Sequence, residues 1–221
     1  MHLGQQPLLT SPCAAPPARQ FISLAEAPDA ERFIDFLLPG IHQSGSPFVD
    51  WFFGDHAKAR SALADWMRRP SSEAFVGRVT LCVANGVPVG GFVALSGTEV
   101  SSCRLADAMA AVKHAGPGER AAVAERLSGA QALFPEVPAE DFYISRVWVS
   151  PEARSDRHGL AIVRESLATG QRMGFTRVRA DVCSSNRGVL RLCQFFKFET
   201  LRESYSDAAG MSYLSMIRID D

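Results

Sequence analysis

The fold is decided by residues 143–161, which read YISRVWVSPEARSDRHGLA. The segment alternates and is rich in β-forming residues up to Val149, then passes through Ser150-Pro151 into a polar loop that opens a helix. Free N–H groups at a helix start, reinforced by the helix dipole, favour a phosphate or pyrophosphate. Gly159 and Ala161 lack the bulk that would hold such a ligand away. The pattern therefore predicts a strand, an anion-binding loop and a helix.

The order and spacing of elements around this segment resemble the GNAT acetyltransferase superfamily over about residues 142–219. Residues 147–151, VWVSP, look like the family's central strand and its Pro-containing exit. Residues 157–161, RHGLA, are similar to the second half of its pyrophosphate loop, R/Q-x-x-G-x-G/A. Residues 173–198 resemble the family's following strand, its asparagine and its last helix.

This resemblance implies an α+β fold: a mixed, mostly antiparallel central sheet flanked by helices. Residues 1–19, proline-rich and without periodicity, are expected to form a disordered arm, and residues 20–221 a single domain. Residues 101–138 have helical periodicity broken at Gly116-Pro117-Gly118. They are expected to form a helical insertion between the third and fourth strands.

Local signals predict the individual elements. Asn85-Gly86 between two β-rich runs predicts a hairpin, because both turn positions tolerate positive φ. A helix is expected at 29–38 and should end at Pro39-Gly40. Residues 44–55 have an aromatic-rich loop composition. Strands are expected near 20–24, 79–84, 87–95, 142–150, 177–183, 199–204 and 211–219, and further helices near 57–69, 159–173 and 187–196.

The resemblance implies acetyl-CoA as acyl donor. The backbone at 147–149 would pair with the pantetheine arm like an added strand. Asp156 stands where the family motif starts with Arg or Gln, so Arg154 is expected to supply that charge. Asn186 caps the last helix or contacts the pantetheine, and both readings stay open. The candidate cofactor residues are Val147, Trp148, Val149, Arg154, Arg157, His158, Gly159, Leu160, Ala161 and Asn186.

The resemblance also implies that a neutral amine attacks the thioester directly. In many relatives a glutamate on the central strand serves as base, whereas this strand offers Tyr143 and Ser145. Regular alternation would place both on the face of Val147 and Val149. Cys193 stands where the family commonly has a proton-donating tyrosine. Cys193 also belongs to an apolar helical stripe, so it is either a weak acid or a core residue.

The acceptor side is read from the aromatic loop. Asp50 and Asp55 flank Trp51 and Phe52 and are candidates to receive a cationic, partly apolar amine. The alternative is an apolar loop that anchors the first helices to the sheet. The insertion at 101–138 would cover the acceptor cleft or form a homodimer contact.

Composition narrows the partners. The formal net charge is −1 with both signs interspersed, so nucleic acid and anionic membranes are not expected partners. No apolar run approaches the roughly 20 residues that cross a bilayer, and the amino terminus lacks a signal-peptide pattern. The five cysteines form no C-x-x-C pair and the histidines show no ligand spacing, so no metal is expected. We expect a cytoplasmic protein.

Two hypotheses follow. The first is an N-acetyltransferase that uses acetyl-CoA to acetylate a primary amine of a small molecule. The second is a non-catalytic acyl-CoA-binding sensor of the same fold, suggested by Cys193 and Ser145 at the family's catalytic positions.

Overall fold

The computed structural model describes residues 18–116 and 118–220. The arm expected at 1–19 therefore lies outside the described residues up to residue 17, and Arg19 already begins the first strand. The described strands are β1 (Arg19–Ser23), β2 (Val79–Ala84), β3 (Val87–Ser96), β4 (Asp141–Val149), β5 (Arg177–Cys183), β6 (Glu199–Ser206) and β7 (Met211–Ile219). The described α-helices are α1 (Ile34–Gly45), α2 (Phe48–Phe53), α3 (His56–Arg68), α4 (Gly97–His114), α5 (Arg120–Leu133), α6 (His158–Arg172) and α7 (Arg187–Phe195).

One seven-stranded sheet organises these residues, in the order β1-β2-β3-β4-β5-β7-β6. Every neighbouring pair is antiparallel except β4 and β5, which are parallel. The expected mixed, mostly antiparallel sheet flanked by helices is confirmed. The hairpin is also confirmed: Asn85 and Gly86 have φ of 52° and 77° between β2 and β3.

Helices cover both faces of the sheet. On one face α1 and α3 bury Leu37, Ile41, Leu63 and Met67 against β2, β3 and Trp148 of β4. On the other face α6 and α7 pack on β4 and β5, in the cluster that includes Phe142, Ile144, Val163, Leu167, Val178, Val182 and Cys193. The central strand β4 is thus buried from both sides, which fixes its position relative to both sets of helices.

The prediction that Pro39-Gly40 ends the first helix is wrong. Helix α1 runs on to Gly45 with Pro39 inside it. Tertiary packing overrides the local breaker, because Leu37, Leu38 and Ile41 from both sides of Pro39 are buried in one core. Gly40 contributes by having no side chain, since a Cβ there would lie 2.3 Å from Cδ1 of Trp148.

The aromatic segment and the insertion also differ in detail from expectation. Residues 48–53, expected as loop, form the short helix α2. The insertion does lie between β3 and β4 and consists of α4 and α5, with Ser96 and Glu99 forming a capping box before α4. The stripe of Leu105, Met109 and Val112 that predicted α4 is largely exposed. No helix among the described residues is long and apolar enough to cross a membrane.

The close approach of Trp148 to Gly40 is testable. Alanine normally favours a helix over glycine by about 1 kcal/mol. We expect Gly40→Ala to lower the free energy of unfolding instead, by about 1–3 kcal/mol, because the added methyl overpacks the indole contact. Urea denaturation measures the change. Gly188→Ala in α7 is the matched control, since its Cβ would lie 3.6 Å from the nearest atom; equal stabilisation of both variants would contradict the packing argument.

Candidate active site

The site begins where β4 and β5 separate. Their parallel pairing extends only over residues 141–143 and 177–179, and the strands diverge afterwards. Residues 144–149 pair with β3 on one side, and nothing in the described part of the chain pairs with their β5-facing edge. An unpaired strand edge between two diverging strands can accept an extended ligand as an additional strand.

A β-bulge at Ser145 changes the face of the sheet on which the following side chains of β4 lie. Arg146 pairs with Val93 and Ile144 pairs with Ala94, so Ser145 has no partner residue in β3. Regular alternation across this point was expected and is wrong. Tyr143 packs with Leu95 and α4 on one face, whereas Val147 packs with the α6 cluster on the other.

A narrow cavity of about 80 Å³ lies between the diverging strands β4 and β5, and we call it the interstrand slot. Its walls come from β4, β5 and α7, and Ser44 and Ser46 contribute from the end of α1 and the residue after it. The remaining lining residues are Ile144, Ser145, Arg146, Val147, Val163, Ala180, Asp181, Val182, Cys183, Asn186, Val189, Leu192, Cys193 and Phe198. The slot lies along the open edge of β4, and both Ser145 and Cys193 line it.

The loop after β4 leads to the start of α6. Residues 151–156 form a 3₁₀ helix, and Arg157 has φ of 57°, a left-handed conformation that is unusual for a residue with a side chain. Arg154 and Arg157 are exposed. A Cβ at Gly159 would lie 3.4 Å from Leu192 and 3.7 Å from Val149, so residue 159 faces the mouth of the slot. The N–H groups of the first turn, with these arginines nearby, can hold a phosphate group.

His158 is held inside the protein rather than facing solvent. Its side chain is 2% exposed, and its Nδ1 accepts a hydrogen bond from Nε of Arg19 at 3.0 Å. Arg19 also donates from Nη2 to the carbonyl of Asp156 at 2.8 Å. Burial, with the Arg19 cation, lowers the pKa of His158. A neutral His158 thus ties the anion-binding loop to β1, and its direct contact with phosphate stays a prediction.

Two further predicted residues lie at the slot. Asn186 accepts a hydrogen bond from the Val189 N–H at 3.2 Å, which caps α7, and it also lines the slot. Cys193 is buried in the core of α7 and lines the slot as well. Burial raises the pKa of its thiol to about 11, so Cys193 keeps its proton at neutral pH. Both residues combine the structural position with access to the slot.

A network of charged and polar side chains lies at the point where β4 and β5 diverge, which we call the fork. The Tyr143 hydroxyl donates to Oδ2 of Asp181 at 2.9 Å and accepts from Nη2 of Arg104 at 2.9 Å. Arg104 also donates from Nε to Oε2 of Glu73 at 3.3 Å, and Ser145 donates to Oε1 of Glu73 at 2.5 Å. The network therefore connects the fork to the bulge at Ser145.

The protonation states in this network follow from burial and neighbours. Burial, with the Asp181 carboxylate, raises the pKa of Tyr143 well above its ordinary value, so the phenol is not a base at neutral pH. Burial raises the pKa of Glu73, but Arg104, Arg146 and the Ser145 hydroxyl outweigh it, and the net pKa lies below the ordinary value. Glu73 is therefore a carboxylate at neutral pH.

A second cavity of about 340 Å³ lies on the other side of this network, and we call it the aromatic cavity. Phe48, Phe52, Trp66 and Phe134 form its aromatic wall. Charged groups of its polar end are Glu73, Arg104, Asp107 and Arg146, and the lining is completed by Tyr143, Ala74 and residues of the two insertion helices: Ser101, Leu105, Ala108, Leu127, Ala130 and Gln131. Arg146 lines both the aromatic cavity and the interstrand slot, so the two spaces are neighbours on either side of it, beside the bulge.

Of the four residues expected to bind the acceptor, one lines the aromatic cavity and the other three do not. Phe52 lines the aromatic cavity. Asp55 caps α3 by accepting from the Lys58 N–H at 2.8 Å, and Trp51 donates from Nε1 to the carbonyl of Ala208 at 3.0 Å. Asp50 binds His42 and Ser46, each at 2.8 Å. Trp51, Asp55 and Asp50 are thus engaged in structural contacts and are not among the residues lining this cavity.

Sequence reasoning missed Glu73, Arg104 and Asp181. Glu73 follows Ser71-Ser72 in an irregular stretch before β2 and belongs to no motif, and Arg104 reads as one charge on an amphipathic helix. Asp181 lies in a strand, RVRADVC, that also carries Arg177 and Arg179. A carboxylate in a buried strand is rare unless it is paired, so Asp181 was the one detectable signal of a charged partner.

Asp107 at the edge of the aromatic cavity provides a pH-dependent test. Burial raises its pKa to about 6, although Ser72 and the Glu73 N–H donate to it. The folded state binds this proton more tightly than the unfolded state, so this group destabilises the fold as pH rises from about 4 to about 6 and above. We expect the stability of Asp107→Asn, which keeps an acceptor oxygen, to increase relative to the wild type from about pH 4 to about pH 6 and to show a constant difference above that. Thermal denaturation at each pH measures this gain, and a difference that is already constant from about pH 4 to about pH 6 would contradict it.

No protein-family model matches the sequence, and no curated protein matches it significantly. Solved structures match it over nearly its full length. An N-acetyltransferase from Staphylococcus aureus Mu50 has a TM-score of 0.64 at 11% identity, covering 85% of this chain and 96% of its own. The Drosophila melanogaster polyamine N-acetyltransferase, an enzyme that forms N-acetylagmatine, has a TM-score of 0.59 at 17% identity, covering 91% and 100%. A structure described as an acetyltransferase has a TM-score of 0.60 at 14% identity, covering 91% and 100%. The chain therefore has the fold of the GNAT acetyltransferases.

Proposed function

We propose that this protein is an N-acetyltransferase that transfers the acetyl group of acetyl-CoA to the primary amine of a small molecule. The observation that carries the proposal is that the interstrand slot and the aromatic cavity share Arg146 in their linings, beside the Glu73 carboxylate. A thioester in the slot and an amine in the cavity would approach each other there. Direct transfer requires such juxtaposition of the two reactants.

The donor side rests on two features already described. The open edge of β4 provides hydrogen-bonding groups for the pantetheine arm, and the start of α6 with Arg154 and Arg157 provides N–H groups and positive charge for the phosphates. The bound donor supplies an activated acyl carbon. The described residues contribute Arg146, whose buried Nε–H has no hydrogen-bond partner among them. A donor left unpaired at this junction can stabilise the negative charge that develops on the acyl oxygen.

The acceptor side favours an amine with an apolar body. Four aromatic side chains and the apolar residues of α4 and α5 line most of the aromatic cavity, so burial of an apolar part of the acceptor there is favourable. Glu73 and Asp107 add negative charge at the polar end, which attracts an ammonium group. The insertion thus acts as a cover over the acceptor, which is one of the two roles considered for it.

Glu73 and Ser145 together can accept the proton of the amine. The Ser145 hydroxyl is the group at the bulge, and it already donates to Glu73. Ser145 would take a proton from the attacking nitrogen while it passes its own proton to Oε1 of Glu73. The nitrogen becomes a much stronger acid as its bond to carbon forms, so a carboxylate of modest basicity suffices. Tyr143 would then position Arg104 and Asp181, and Cys193, whose pKa is about 11, would be a weak donor to the departing sulfur.

The alternative is the sensor hypothesis. Tyr143 stays protonated and hydrogen-bonded, and Cys193 is only weakly acidic, so neither residue would transfer a proton efficiently, and the protein would bind the acyl donor without turning it over. The discriminating experiment combines calorimetry of CoA and acetyl-CoA with a free-thiol assay over a panel of amines. We expect micromolar-range donor binding and thiol release that aromatic or otherwise apolar amines stimulate more than polyamines. Binding without stimulated release by any amine would favour the sensor, and failure to bind the donor would remove the proposal.

The role of Glu73 has its own test. We expect Glu73→Gln to lower kcat by about 10²–10⁴-fold, the usual contribution of a general base, while the Kd for CoA changes little. Steady-state kinetics and calorimetry measure the two quantities. Glu125→Gln removes an exposed carboxylate from α5 and is the matched control. Undiminished turnover of a folded Glu73→Gln protein would exclude Glu73 as the base.

A further inference from the structure

Three potential metal ligands that are separated in sequence lie together beside the aromatic helix α2. His42 lies near the end of α1, Asp50 within α2, and His56 is the first residue of α3. Nε2 of His42, Oδ1 of Asp50 and Nδ1 of His56 all lie within 4.8 Å of one another. The sequence spacing of these residues does not indicate a metal site, because the turns between three helices bring them together.

The distances in the cluster are close to those of a metal site. Zinc binds imidazole nitrogen and carboxylate oxygen at about 2.0–2.2 Å, so two ligands of a tetrahedral ion lie about 3.3 Å apart. Nδ1 of His56 lies 3.4 Å from Oδ1 of Asp50, which already matches. Nε2 of His42 lies 2.8 Å from the same oxygen, a hydrogen-bond distance that would have to widen by about 0.5 Å. A rotation of the half-exposed Asp50 side chain is enough for that change.

The surroundings hold two of the three groups in place. The hydroxyl of Ser46 donates to Oδ2 of Asp50 at 2.8 Å, which leaves Oδ1 for the cluster. This arrangement resembles the outer hydrogen bonds that orient carboxylate ligands in metal sites. The His42 side chain is 5% exposed and its ring contacts that of His56 edge to face, with centroids 4.5 Å apart. His56, which is 66% exposed, is free to adjust on binding together with the Asp50 side chain.

The exposure of His56 and Asp50 also leaves room for water. Three protein ligands with an open fourth position is a known coordination pattern for zinc. Imidazole with one carboxylate suits zinc better than magnesium or calcium, which prefer oxygen ligands alone. Nε2 of His42 now donates its hydrogen to Asp50, so metal binding requires the Nδ1–H tautomer of His42: the Nε2 proton leaves to water, Nδ1 takes up a proton from water, and the Nε2 lone pair binds the ion.

We propose that His42, Asp50 and His56 bind one Zn²⁺ ion, with water as the fourth ligand. The ion joins α1, α2 and α3 at one point. Phe48 and Phe52 of α2 line the aromatic cavity, so the ion fixes the helix that forms one wall of that cavity. The site does not depend on the acetyltransferase proposal, since its ligands and its test involve neither acyl donor nor amine.

The test uses the full chain, stripped with a chelator and titrated with Zn²⁺ at neutral pH by calorimetry, with metal content measured after dialysis. We expect one ion per chain, a higher thermal midpoint with the ion than without it, and a visible absorption band typical of tetrahedral Co²⁺ when cobalt replaces zinc. Removing a residue that only orients a ligand costs about 10–100-fold in metal affinity, so His56→Asn should weaken binding by more than about tenfold.

His56→Asn is the decisive variant because His56 is exposed and its replacement leaves the core intact, whereas His42→Ala removes a buried ring and is secondary. Asp65→Asn is the matched control, since it removes an exposed carboxylate from the same helix α3. Unchanged affinity of Asp65→Asn with weakened His56→Asn supports the site. Absence of stoichiometric binding to the wild type, or equal affinity of the wild type and His56→Asn, overturns it.

Discussion

The structure depends on the separation of β4 from β5 after Tyr143. Continued pairing would close the interstrand slot and remove the open backbone edge on which the proposed donor binding rests. Buried polar groups hold the fork open. Asp181 accepts from Tyr143 at 2.9 Å and from Ser215 at 2.5 Å, and Arg104 reaches both Tyr143 and Glu73. A buried charge is tolerated only when it is paired, so each member of this network is needed by the others.

The same network determines the chemistry at the fork. Arg104 and Arg146 outweigh the burial of Glu73 and keep it ionised, whereas burial keeps the Tyr143 phenol protonated. Negative charge is thereby concentrated on Glu73, next to the Ser145 bulge. In the proposed mechanism, Tyr143 is a positioning phenol and Ser145 a hydroxyl relay. The proposed base, Glu73, comes from a stretch 72 residues earlier in the chain.

Helix α2 connects the two proposed sites. One part of it, Phe48 and Phe52, lines the aromatic cavity, while Asp50 turns to His42 and His56. The insertion closes the cavity from the opposite side with α4 and α5. The exposed stripe of Leu105, Met109 and Val112 on α4 belongs to this cover, and the periodicity that predicted the helix therefore does not report burial in this case. The proposed acceptor site is thus assembled from the parts of the chain that differ most from a minimal sheet-and-helix framework.

The sequence by itself determined the elements whose signals are local. Asn85-Gly86 specified a hairpin because both residues adopt positive φ. The pattern of 143–161 specified a strand, a connection and a helix because alternation and helix-start residues act within a few positions. Tertiary structure decided the rest. Burial of Leu37 and Ile41 allowed α1 to continue past Pro39. The bulge at Ser145 changed which face of the sheet Val147 occupies. Folding also brought together residues that are distant in sequence: Glu73 with Ser145, Arg19 with His158, and His42 and Asp50 with His56. Contacts between distant residues leave no periodicity or spacing in the sequence, because their partners are chosen by how the helices pack on the sheet and not by neighbours along the chain.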